Sequence, residues 1–477
     1  MTRIGTIDAR FQSYNIEMVE VTGGTFWRPY KPGRDNPPAT PGSAGPSLYA
    51  DRKPIDLTNP RLRRLAAALG PAYLRVSGTW ANTTYFDDAG DHPTSPPPGF
   101  TGVLTREQWG RVVAFAGAVN AKLVTSFAIG AGTRDPRGVW TPTQASRLIT
   151  YTHAIGGDIA AAEFMNEPDL AAMGGAPAGY DAASFGRDIA GFRSFLKRAS
   201  PDTLLLGPGS AGASSGKLLS GDLLAASGPV FDVVSYHHYG ALSQRCTGRV
   251  PSPAETDESA LSEDWLSRVD SAETTFAALR DRFEPGRPLW ITETAEAACG
   301  GNPWASTFLD SFRYLDQLGR MARRQVQIVF HNTLASSDYG LLDETDFAPR
   351  PNYWAALLWR RLMGTLVLDP GPASEPRLHL YAHCLRGRPG GVALLAINPD
   401  PATALRFALP VAASRYGLAA RQLTDTRVLM NGRELRLGAG DELPALDGEP
   451  VAPGRLDLPP VSITFLAIAD AGNPDCR

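Results

Sequence analysis

What the chain lacks narrows it first. No run of about 18 apolar residues occurs in its 477 residues, so neither a transmembrane helix nor a membrane partner is expected. Met1-Thr2-Arg3-Ile4-Gly5-Thr6 has no apolar core of a signal peptide, so the expectation is a cytoplasmic protein or one whose leader has been removed. Basic excess is missing too: a net charge of −3 argues against a general nucleic-acid binder. There are only four cysteines, Cys246, Cys299, Cys384 and Cys476, and none stands at a Cys-x-x-Cys or Cys/His ligand spacing. No metal and no cofactor are therefore expected. No Gly-x-Gly-x-x-Gly turn follows the first strand, which weakens an open dinucleotide-binding sheet. No internal repeat is visible. With 43% hydrophobic and 20% charged residues, wholesale disorder is excluded and a large core can be buried.

What is present is a rhythm. Strand-like segments at 11–18, 72–78, 122–129, 159–165, 203–207, 230–236, 288–292 and 326–331 alternate with helix-like segments, the last at 352–364. Strands alternating with helices of this size imply parallel β/α units, and eight of them imply a closed (β/α)₈ TIM barrel of the α/β class, here assigned to residues 11–365. Past Leu366 the pattern changes to short alternating runs split by Pro and Gly, such as Leu378–Cys384 and Gly391–Ile397. That reads as a β-sandwich over 366–477. The strand at 4–10 has no place in the barrel, so residues 1–10 are assigned to the sandwich.

Sites of such barrels lie at the carboxyl ends of the strands. Glu163-Phe164-Met165-Asn166-Glu167-Pro168-Asp169 closes the fourth strand, and Leu289-Trp290-Ile291-Thr292-Glu293-Thr294 closes the seventh. Two strand-end carboxylates are the minimum equipment for retaining glycoside hydrolysis. Glu167 suits the acid/base and Glu293 the nucleophile, while Asn166 could hold a sugar 2-hydroxyl. Other strand ends add Glu17, Thr79, His238, Tyr239 and Tyr339 as candidate substrate contacts. Adjacent His237 and His238 point opposite ways on a strand, so at most one faces the pocket unless the strand has ended. Gly300-Gly301 offers bare backbone amides for a carboxylate. Cys246 and Cys299 both follow barrel strands and could meet at one face, either as a disulfide or as two buried thiols. A bond would favour periplasmic or secreted residence.

At this point several segments match a known pattern. Pro71–Thr79, Asn166-Glu167-Pro168, His237-His238-Tyr239, Trp290–Thr294, Tyr339–Glu344 and Pro351–Trp354 resemble, in order, glycoside hydrolase family 79, the heparanase and β-glucuronidase group. The resemblance is greatest to its bacterial single-chain members, since the long linker excised from the animal enzyme is missing. It implies a barrel plus sandwich and a retaining mechanism with Glu167 as acid/base and Glu293 as nucleophile. It also implies a uronate carboxylate held near Gly300 and by Tyr339. Cys299 departs from the animal pattern, which has Tyr or Gly there. The expected activity is endo-β-glucuronidase action on heparan sulfate-type polysaccharide by a monomer; exo-β-glucuronidase action and a catalytically weak carbohydrate-binding barrel are the alternatives. Sulfate-reading cations are expected in three loops: Arg28, Lys31 and Arg34; Arg134 and Arg137; Arg245 and Arg249.

Overall fold

The computed structural model describes the chain except residues 31–47, 92, 94, 215, 247–255, 258, 373, 374 and 376. After β1 (Arg3–Thr6), eight parallel strands close into a barrel: β2 (Gln12–Glu17), β3 (Ala72–Ser77), β4 (Ala121–Ser126), β5 (Ile159–Glu163), β6 (Leu204–Ser210), β7 (Val233–Leu242), β8 (Leu289–Ala298) and β9 (Ile328–His331). Closure is made by β9 against β2, with Val329 opposite Gln12 and His331 opposite Tyr14. Helices cover the outside, so the strands are buried on both faces; most read as largely apolar runs, while β2, Gln-Ser-Tyr-Asn-Ile-Glu, is buried throughout although mainly polar.

The barrel interior is layered. At the bottom an apolar plug of Tyr73, Val124, Ala161, Leu206, Val233, Trp290, Ile328 and Phe330 fills the lumen, with the Tyr73 and Trp290 rings 5.0 Å apart. Two residues further along the same strands, where alternation again points inward, the layer turns polar: Arg75, Glu163, Ser235 and Thr292, all buried. The dry plug beneath makes a charged layer above it expensive unless every group is partnered.

The reading of the chain as a barrel plus sandwich holds, with local differences. The segment after β2 is rich in Gly and Pro. It forms a short helix, α1 (Met18–Thr22), and an antiparallel hairpin of Gly24–Trp27 with Tyr49–Arg52. Strands β7 and β8 run well past the expected ends at 236 and 292. Beyond the barrel lies a nine-stranded, mainly antiparallel sheet in which β1 pairs with Met363–Leu368. One face of that sheet packs Tyr381, Leu395, Ile463 and Phe465 on the barrel's last helices. Its other face packs Leu380, Leu394 and Leu466 on a two-stranded sheet, Leu405–Leu409 with Gly454–Leu458, completing the sandwich. Two disulfides are present: Cys246–Cys299, and Cys384–Cys476, a pairing that sequence spacing did not suggest. No helix among the described residues is long and apolar enough to cross a membrane.

Barrel and sandwich are latched by charge. His379, on the sandwich, donates from Nδ1 to the fully buried Asp316 of the barrel at 2.6 Å and faces Glu263 from Nε2 at 3.0 Å. Burial alone would lower the ring's pKa, but Asp316 and the two hydrogen bonds push it up to about 9. A raised value means the fold holds the proton, so the stabilisation is complete below the ordinary histidine value and fades as pH rises through about 9. It amounts to roughly 3 kcal/mol at most. Between pH 6 and pH 10 the wild-type Tm should fall by more than that of His379→Gln; parallel curves in scanning calorimetry would remove the latch.

Candidate active site

The acid/base candidate is positioned by a side chain from another strand end. Asn82 lies on the 3₁₀ turn Thr79–Thr83 after β3 and grips the backbone of Asn166. Its Nδ2 donates to Asn166 O at 2.9 Å, and its Oδ1 accepts from Asn166 N at 2.8 Å. The next residue, Glu167, is left-handed (φ 49°, ψ 65°) before Pro168, a conformation costly for a residue with a Cβ. Such a conformation persists only where its surroundings impose it, and here it aims the carboxyl at β7. Glu167 Oε1 lies 3.0 Å from His237 Nδ1.

Glu293 reaches the barrel axis through an irregularity. The register of β8 slips against both neighbours around Thr292–Glu293. Both side chains thereby point inward, Thr292 donating to Glu163 at 2.8 Å and Glu293 accepting from Arg75. Arg75, 1% exposed, is the hub of the polar layer. It binds Glu163 through Nε at 2.9 Å, Glu293 Oε2 through Nη1 at 3.0 Å and Asn166 Oδ1 through Nη2 at 2.8 Å. Its Nη2 also lies 3.3 Å from His237 Nε2. A guanidinium can only donate, so Nε2 accepts and Nδ1–H is the donor to Glu167. Burial works against ionisation of Glu163, but the Arg75 cation and the Thr292 hydrogen bond leave its pKa below the ordinary carboxylate value.

Tyrosines close the other side. Tyr239 donates to Glu293 Oε1 at 2.5 Å, and Asn332 Nδ2 reaches the hydroxyls of both Tyr239 (2.9 Å) and Tyr339 (3.3 Å). Burial first and Glu293 second push the Tyr239 pKa far up, so the phenol stays a donor. Glu17 is buried at the same place, and burial with the Glu293 charge raises it well above the ordinary range. Its neighbour Gly78 has φ +93°, and a Cβ there would lie 1.5 Å from Glu17 Oε2, so only glycine fits.

The Gly300-Gly301 loop is held rather than free. Both glycines have positive φ (84° and 85°), and Cys299 before them is tied to Cys246. Gly300 O accepts from Ser337 Oγ at 3.0 Å and from Asp338 N at 3.2 Å; Gly301 O accepts from Ser243 Oγ at 2.7 Å. The buried carboxyl of Glu296, which burial pushes up to about 8, accepts from Asn302 N at 3.0 Å.

The structure thus brings Glu17, Asn166, Glu167, Tyr239, Glu293 and Tyr339 together. Thr79 is half-buried on its turn, and among the described residues no hydrogen bond joins it to either glutamate. His238 is a correction. It points away from the lumen, where burial, Arg313 and Arg268 lower its pKa to about 3, and His237 stands beside the carboxylates instead. Because β7 continues to Leu242, alternation puts His237 and Tyr239 on one face and His238 on the other. Arg75, Asn82 and Glu163 stand in the candidate site although the sequence reading gave them no role there, and His237, which it weighed against His238, and Asn332 join them. Two of the proposed sulfate readers are also corrected. Arg134 is locked to the buried Asp188, and Arg245 to Asp338 and the Tyr30 ring. Arg28 and Arg137 are exposed, while Lys31, Arg34 and Arg249 lie outside the described residues. Glu167, His237 and Glu293 offer ligand atoms within 4.8 Å of one another, but the Arg75 cation already held against Glu293 disfavours a metal ion there.

Residues 49–319 match the profile described as glycosyl hydrolase family 79, N-terminal domain. The chain is 31% identical to heparanase-like protein 1 of Arabidopsis thaliana over 72% of its own length and 65% of that protein. It is 29% identical to heparanase of Mus musculus over 88% of each chain. With hyaluronoglucuronidase of Hirudo nipponia it shares 25% identity over 89% of its length and 92% of the relative. A 4-O-α-L-rhamnosyl-β-D-glucuronidase from Fusarium oxysporum superposes with a TM-score of 0.67 over 98% of this chain and 97% of that one, at 14% identity, which shows the shared fold. From the matched profile and these relatives, the chain belongs to glycosyl hydrolase family 79.

Proposed function

We propose that the protein is a retaining glycosidase that cleaves β-glucuronidic linkages inside glycosaminoglycan chains of the heparan sulfate type. The observation that carries the mechanism is the carboxylate spacing: one oxygen of Glu167 and one of Glu293 lie within 4.8 Å of each other. Retaining pairs stand about 5–5.5 Å apart, whereas inverting pairs need about 6.5–9.5 Å to admit a water. Glu293, held by Arg75 and Tyr239, attacks the anomeric carbon while Glu167 protonates the departing oxygen. Glu167 then takes a proton from the water that releases the sugar. We assign Asn166 to the 2-hydroxyl, and Tyr339 with the Gly300-Gly301 amides to the uronate carboxylate.

Relatives bearing the names heparanase and hyaluronoglucuronidase support the substrate class, and two disulfides support residence in an oxidising compartment. The test is product analysis on heparan sulfate. Progressively shortened chains whose new reducing ends are first released as the β anomer are expected. Monosaccharide glucuronic acid as the first product would replace this reading by exo action, and an α anomer would remove the retaining mechanism.

A further inference from the structure

The hairpin after α1 carries an aromatic pair at the edge of the site. Trp27 and Tyr49 face each other in register across its two strands, with ring centroids 4.7 Å apart and planes tilted by 31°. The strand alternates: Phe26, 1% exposed, packs inward on Trp80, while Trp27 lies on the opposite face, half-buried, beside a Tyr49 that is 36% exposed. The pair is thus partly open to solvent, on the face opposite the buried Phe26.

Its position relative to the glycine loop is fixed. Gly300 packs so closely on this strand that a Cβ there would lie 2.5 Å from Trp27 Cβ and 2.9 Å from its Cγ. Three residues on, Tyr30 N donates to Asp338 at 3.2 Å, and its hydroxyl lies 3.0 Å from Ser243 Oγ. Arg245 stacks over the Tyr30 ring, donates to Asp338 Oδ2 at 2.9 Å and donates to Arg28 O. Asp338 and Ser243 are the residues that hold the Gly300 and Gly301 carbonyls. Hairpin, glycine loop and the Cys246–Cys299 bridge are therefore joined by hydrogen bonds and close packing.

We propose that Trp27 and Tyr49 form the subsite for the sugar on the non-reducing side of the cleaved glucuronate, binding it by stacking against the apolar face of its ring. The inference rests on the glucuronidase reading and adds to it where the chain runs. In a glucuronate, C5 carries the carboxyl and the adjacent C4 carries the bond to the preceding sugar. A platform touching the loop that receives the carboxyl therefore lies beside that preceding sugar. Stacking on an aromatic face removes apolar surface from water and tolerates varied substituents at the ring's rim. This suits a chain whose sugars differ in their modification. An enzyme releasing terminal glucuronic acid has no sugar to place there.

The experiment compares Trp27→Ala and Tyr49→Ala with wild type on two substrates: an aryl glucuronide, and a tetrasaccharide with an internal glucuronate. The kcat/KM for the tetrasaccharide should fall at least about tenfold more than that for the aryl glucuronide, chiefly through KM. Tyr49→Ala leaves the Trp27–Gly300 contact in place, so it keeps the test intact if Trp27→Ala disturbs the loop. An active wild type whose variants both lose the same proportion on the two substrates, or lose nothing on either, would overturn the platform alone. A wild type that cleaves neither substrate would overturn the glucuronidase reading and the platform with it.

Discussion

Glu293→Gln should lose about four orders of magnitude or more in kcat while staying folded, because removal of a nucleophile abolishes the covalent route outright. The amide keeps the shape of the carboxylate, and Arg75 retains Glu163 as a charged partner, so little stability is at risk. Glu167→Ala should behave differently. On natural chain, with a poor leaving group, kcat should drop by about 10²–10⁴. On an aryl glucuronide with a good leaving group, Glu293 should still be glycosylated, and turnover then stalls because no base activates water. Azide, which needs no base, should restore turnover and yield the β-glycosyl azide. Wild-type rates for Glu167→Ala on natural chain would end its assignment as acid/base, and an α-azide would end that of Glu293.

The second large effect belongs to Arg75. Arg75→Met leaves Glu163 and Glu293 in a buried layer without their shared cation, and breaking a buried ion pair this way costs about 3–5 kcal/mol. The pH dependence should also change sign. In the wild type the Glu163 pKa is depressed, so its contribution is present above the ordinary carboxylate value and is lost as pH falls through the lower folded value. Without Arg75, burial dominates and raises it, so the variant should lose stability as pH rises above about 4. Urea unfolding followed by tryptophan fluorescence between pH 5 and pH 8 reads this slope. Adding Glu163→Gln should recover much of the stability and flatten the slope without restoring kcat, because Glu293 still has no cation to hold it. A double variant as unstable as Arg75→Met would show that the cost lies in packing rather than charge.

Arg75 also shows where sequence reading stops. The eight strands and the two glutamates were legible because most strands are apolar runs alternating with helices and each glutamate stands at the end of such a run. Arg75 and Glu163 lie inside such runs, where a charged residue looks like an exception to the pattern. Their meaning comes from pairing across the lumen between strands distant in sequence. Asn82 is similar: nothing local says that its amide will clamp the backbone of Asn166. The histidines failed for a different reason. Alternation is legible only if the strand's extent is known, and β7 runs six residues past the expected end, so the side facing the lumen was misjudged. At Glu293 the error could have gone the other way, since strict alternation from Thr292 would have turned it outward. The irregularity in β8 that prevents this leaves no mark in composition. The Arg134 and Arg245 assignments failed because a loop cation reads as solvated until its buried acid is seen.

Strand β1 has a consequence for the order in which the molecule is made. Arg3 pairs with Leu368 and Thr6 with Leu366, so β1 belongs to a sheet whose neighbouring strand is synthesised only after the whole barrel. At about 5–20 residues per second that wait is about 20–70 s. Every barrel strand lies within the interval, so the catalytic unit can close while β1 is still an unpaired edge. Unpaired edges recruit other chains, and this one is short and opens with a charged arginine, with a glycine at its third position; both features make a poor template. β1 is thus made before the barrel it flanks and finds its place only after that barrel has been made.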